Sequence, residues 1–83
     1  MPNYICYETA DAHIAVCEKA FWEENGYLDD RHNRELTLLM QRLHFTETRT
    51  NIFWRPNGFS NEQALALLEE NGIEVVSRKN MCK

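Results

Sequence analysis

Turn-formers and cysteines are scarce here: the 83-residue chain has three glycines, two prolines and three cysteines. The glycines stand alone at Gly26, Gly58 and Gly72, which excludes the glycine-rich loop that cradles phosphates in nucleotide hydrolases. The cysteines, Cys6, Cys17 and Cys82, are odd in number and lack framework or CxxC spacing. Such a pattern excludes a disulfide scaffold and fits a reducing compartment, where a free thiol acts as a small hydrophobe. Long apolar runs are missing as well. Nothing approaches the roughly 18–20 apolar residues of a membrane helix, and Glu8 and Asp11 interrupt any signal-like stretch near the start. The expected location is the cytoplasm, with no membrane partner.

Basic charge is nearly absent from the first third. Residues 1–30 hold seven acids (Glu8, Asp11, Glu18, Glu23, Glu24, Asp29, Asp30) against Lys19 alone. Residues 31–55 reverse the sign, with Arg31, Arg34, Arg42, Arg49 and Arg55 against Glu35 and Glu47, and the whole chain carries −4. Separated patches of opposite sign steer encounter and fix orientation between partners. This layout predicts a binding surface without naming what it binds.

What is present is enough for a core. Hydrophobic residues make up 43% of the chain and charged ones 27%, a globular balance rather than a disordered one. A chain of this length buries roughly 60–65% of its unfolded surface, so large aromatics such as Phe21, Trp22, Phe45, Phe53 and Trp54 carry much of the burial. The expectation is one α+β domain over residues 1–83, with 79–83 as a frayed tail.

Asn3 to Glu8 is rich in β-formers and reads as a strand. Thr9 or Asp11 then offers a cap for a helix to about Asn25, with Ala10, Ile14, Cys17 and Phe21 as its stripe and Gly26 as its stop. Asp29 and Asp30 sit where a second helix would begin, and Leu36, Leu39, Met40 and Leu43 form its apolar stripe. Residues 44–54, dense in threonine and aromatics, read as the longest strand. Arg55 to Phe59 is a turn by composition. Ser60 and Gln63 form a capping box that opens a helix through Asn71, and residues 73–77 make the last strand. The order is β-α-α-β-α-β. It predicts a three-stranded sheet with helices packed on it and a C-terminal parallel βαβ unit.

Chemistry-bearing residues are sparse. His13 and Cys17 would lie one turn apart on a helix, as two zinc ligands can, but no further ligands share their spacing, and Cys17 falls on the apolar stripe. A Cys–His nucleophile would need an electropositive setting and an oxyanion hole that nothing here supplies. Glu23-Glu24 and Asp29-Asp30 match no calcium loop and read as solvated helix-end acids. The expectation is therefore no catalytic residue, no metal and no cofactor.

Two binding constellations remain. The first is an acidic surface of Glu18, Trp22, Glu23, Glu24, Asp29 and Asp30, with Trp22 as anchor in a steering field. It suits a basic surface on another protein, such as the groove of a nucleic-acid enzyme, and points to a non-enzymatic inhibitor or adaptor. The alternative is a nucleic-acid platform of Arg42, Arg49, Trp54 and Arg55, mixing guanidinium groups with aromatic rings. A net charge of −4 weighs against a polyanion. A third expectation is salt-sensitive self-association into a homodimer, acidic face on arginine face.

Overall fold

The computed structural model describes residues 3–76. Its elements are β1 (Tyr4–Glu8), β2 (Ile14–Glu18), α1 (Lys19–Asn25), α2 (Arg34–Arg42), β3 (Thr46–Arg49), β4 (Ile52–Trp54), α3 (Asn61–Glu70) and β5 (Glu74–Val75). The strands form one five-stranded mixed sheet in the order β3-β4-β2-β1-β5. The α+β class is as expected; the strand count and order are not.

The first correction concerns residues 9–25. Their first part is not helical: β1 folds back on β2 as an antiparallel hairpin, pairing Tyr4 with Glu18 and Glu8 with Ile14. The run Ile14-Ala15-Val16-Cys17 is apolar at every position because β2 is buried on both faces, as central strands are. Thr9 and Asp11 shape the turn instead of capping a helix. The Thr9 amide donates to the His13 carbonyl (2.8 Å), the His13 amide donates to Thr9 Oγ1 (3.0 Å), and the Thr9 hydroxyl donates to Asp11. Ala12 takes the left-handed conformation at φ 67°, a position where glycine or asparagine would have announced a turn.

The second correction concerns residues 44–54, which form two strands. β3 and β4 pair antiparallel with a register shift between Glu47 and Arg49, and Asn51 (φ 61°) sits in the turn between them. Asparagine tolerates that backbone region. β4 then pairs with β2, and β5 pairs with β1 in parallel. Because β4 and β1 each run antiparallel to β2, β4 and β5 do point the same way. They are not neighbours, however: β2 and β1 lie between them.

Alternation along the central strands makes two cores. Tyr4, Cys6, Ile14, Val16 and Phe53 face one side, where Leu36 and Met40 of α2 and Ala64 and Leu68 of α3 cover them. Ile5, Tyr7, Ala15 and Cys17 face the other, against Trp22, Leu28, Ile52 and Val76. α2 starts later than the acids at 29–30 suggest: Asn33 is the cap, its Oδ1 accepting from the Leu36 amide at 3.1 Å. α3 opens with the expected reciprocal box between Ser60 and Gln63. The expected end of the last strand and the tail at 79–83 lie outside the described residues.

Candidate binding surfaces

The acidic constellation is distributed over β2, α1 and the loop after it. Glu18 ends β2 and precedes α1, whose Glu23 and Glu24 are exposed. Trp22 is half-buried, its ring 5.0 Å from that of Tyr7, so it belongs partly to the second core. Asp30 is exposed. Asp29 is not: it is buried, and its carboxylate accepts from the Arg31 backbone amide (2.9 Å), Nε (3.0 Å) and Nη2 (3.0 Å). Those hydrogen bonds from Arg31 hold the Asp29 carboxyl below the ordinary carboxylate range. Asp29 therefore shapes the turn that presents Asp30.

Asn51 ties that turn to the sheet, a role no sequence signal gave it. Its Nδ2 donates to the Asp29 carbonyl (2.6 Å) and the Arg31 carbonyl (3.0 Å). Its carbonyl accepts from the Val16 amide (3.0 Å), and its amide donates to Glu47 Oε2 (3.3 Å). One hint was available, because asparagine is a poor strand residue and stood mid-run in the supposed long strand.

Two cations on the α1 side are engaged within the chain, while Arg34 lies beside Glu18 without an ion pair among the described residues. Lys19 Nζ contacts Glu74 Oε1 at 2.9 Å, and Arg31 is held by Asp29. Among the described residues Glu18, Glu23, Glu24 and Asp30 take part in no ion pair. Exposed aromatic surface lies beside them. Tyr27 is 58% exposed, its ring 5.7 Å from Phe21 in an edge-on contact, and the Arg31 guanidinium lies 5.3 Å from the Phe21 ring centre.

The arginine constellation is gathered only in part. Trp54 and Arg55 come together, the guanidinium lying over the indole at 4.1 Å. Arg49 reaches instead to Asp11 (3.1 Å), and Arg42 is exposed in the last turn of α2, where it complements the helix dipole. Two neighbours that the sequence did not join to this group are His13, whose ring stands edge-on to Trp54 at 4.9 Å, and His44. His44, Thr46, Trp54, Arg55, Pro56, Asn57 and Phe59 line a cavity of about 390 Å³.

His13 and Cys17 do not share a helix turn. Along extended chain four residues span about 13 Å, so their spacing loses its meaning as a ligand pair. Burial pushes the Cys6 thiol up to about 12 and also raises that of Cys17, which leaves both as thiols at neutral pH and poor nucleophiles. Among the described residues no three His, Cys, Asp or Glu side chains gather as a metal site requires, and no helix is long and apolar enough to cross a membrane. Comparison with protein-family models, curated proteins and solved structures finds no match to this chain.

Proposed function

We propose that this chain is a non-enzymatic protein-binding module whose α1 side docks on a basic surface of another protein, in the manner of a small inhibitor or adaptor. The observation that carries this reading is the excess of carboxylates there. Lys19 and Arg31 are taken up by Glu74 and Asp29 and lie near Glu23, Glu18 and Asp30, yet among the described residues Glu18, Glu23, Glu24 and Asp30 form no ion pair, so acid outnumbers base on this side. Exposed carboxylates of one sign raise association rate and select orientation. Tyr27, with Phe21 against it, offers the aromatic contact that charge alone lacks.

The homodimer reading draws less support, because three of the five arginines in residues 31–55 already have in-chain partners. Arg31 is on Asp29, Arg49 on Asp11, and Arg55 on Trp54 and Asn61.

The test is a pull-down from native lysate, with and without nuclease, using wild type, Glu23→Lys/Glu24→Lys and Arg49→Glu/Arg55→Glu. The expected result is a stoichiometric protein partner that survives nuclease, releases with salt and is lost only with the glutamate reversals. A partner retained by Glu23→Lys/Glu24→Lys, or one that disappears with nuclease, overturns the reading.

A further inference from the structure

The cavity beside Trp54 is separate from the α1 surface, and its lining contrasts with the rest of the chain. The protein has thirteen acids, yet none lines this cavity; the lining holds one arginine, one histidine, a threonine and an asparagine together with Pro56 and the rings of Trp54 and Phe59. Its volume, about 390 Å³, lies in the range of small-ligand sites.

Arg55 is held in place by two contacts. The Trp54 ring lies under its guanidinium, Asn61 Oδ1 accepts from its Nη1 at 3.3 Å, and Asn61 is itself fixed. Asn61 Nδ2 donates to Glu8 Oε2 (2.7 Å) and to the Ala12 carbonyl (2.8 Å). An arginine stacked on an aromatic keeps its charge and its outer face available, and guanidinium planes accept a stacked base as rings do. Two acids contact this network, Glu8 at Asn61 and Asp11 at His13 (3.3 Å), and neither lines the cavity.

His44 supplies the independent observation. α2 and α3 end in the same motif. In α3 the Gly72 amide donates to the Glu69 carbonyl (3.1 Å) and the Ile73 amide to the Leu68 carbonyl (3.0 Å), with Gly72 at φ 85°. In α2 the His44 amide donates to Gln41 (2.9 Å) and the Phe45 amide to Met40 (3.0 Å), with His44 at φ 71°. Glycine takes this left-handed position without strain, whereas an L side chain costs about 1–2 kcal/mol there. The chain keeps an imidazole at the strained position, exposed and lining the cavity. Strain of this kind collects at binding sites.

We infer that this cavity binds a single nucleotide unit, with the heterocycle between Arg55 and Phe59 and the phosphate toward His44, Thr46 and Asn57. The size limit follows from the cavity: its volume of about 390 Å³ takes one nucleotide rather than a run of them, and Arg49, the nearest arginine before Trp54 in the strand pair, is already held by Asp11. One nucleotide has two sources, a free mononucleotide or the phosphorylated end of a single strand.

The test uses nitrogen-edited NMR titration of the purified chain with the four nucleoside monophosphates, adenosine, ribose 5-phosphate and a 5′-phosphorylated tetranucleotide. A mononucleotide is expected to saturate and to move the Trp54 indole N–H signal while that of Trp22 stays, with adenosine and ribose 5-phosphate each at least tenfold weaker. Tighter binding of the tetranucleotide assigns the strand end; equal or weaker binding assigns the free nucleotide. Arg55→Gln should weaken binding at least tenfold. His44→Gly, which relieves backbone strain and so folds at least as well, should weaken it at least threefold. Absence of saturable binding by every probe overturns the inference, as does affinity unchanged in His44→Gly.

Discussion

The two faces of the sheet are built from the same strands and handle their surface differently. Under α2 and α3, Phe53, Ile14, Leu36, Met40 and Leu68 are fully covered. Under α1 the cover is a seven-residue helix with no fully buried residue, and Trp22, Leu28 and Ile52 are only partly enclosed. Toward β3 and β4 that second face passes to exposed Thr46 and half-buried Trp54, the cross-strand partners next to Glu47 and Phe53. One face is organised for stability. The other leaves aromatic and charged groups in reach of solvent, and both candidate surfaces border it.

The largest expected effect is on the closed face. Phe53→Ala removes its central ring and should destabilise by about 3–5 kcal/mol, a large fraction of what a chain this size possesses; chemical denaturation measures it. Asn51→Ala should follow at about 2–4 kcal/mol, since it loses two hydrogen bonds and puts alanine at φ 61°. Asn51→Gly should recover the backbone part, and amide exchange should quicken at residues 29–31 in both. Trp22→Ala on the open face should lose only about 1–2 kcal/mol, because the ring is half-exposed. A loss equal to that of Phe53→Ala would erase the contrast between faces. His44→Gly should raise stability by about 0.5–1 kcal/mol, read as a higher midpoint.

The smallest effect is in acid. The Asp29 carboxyl is held low in the folded chain by Arg31, so the unfolded chain binds its proton first as pH falls. The stabilisation from this pair is fully present above the unfolded value near 3.9. It is lost as pH falls through the lower folded value. Asp29→Asn should flatten that part of the stability profile below about pH 4, while leaving the neutral-pH unfolding slope with denaturant unchanged.

Signals that are chemical and local were legible in the sequence. Ser60 with Gln63 marks the start of α3, and Leu36, Leu39, Met40 and Leu43 mark the buried stripe of α2. Residues 14–17 were not, because Ala10, Ile14, Cys17 and Phe21 satisfy helical spacing while the intervening Ala15 and Val16 are also apolar. Only tertiary cover on both faces decides for a strand. The hairpin turns were hidden for a related reason: Ala12 and Asn51 occupy left-handed positions that glycine would have advertised. For the surfaces, Trp54 with Arg55 was legible from adjacency. The addition of His44, the capture of Arg49 by Asp11 and the burial of Asp29 all depend on the two unrecognised hairpins.

The parallel pairing of β1 with β5 has a consequence for how the chain is made. β1 finds β2 within a few residues, but its other edge must wait for Glu74 and Val75, which pair with Ile5 and Cys6. Throughout synthesis that edge, carrying some of the most apolar residues of the chain, stays open and able to pair with another copy. The closing contact is also the one with the longest loop. A ribosome-bound chain stalled before residue 74 should therefore self-associate, and release of the last strand should end it.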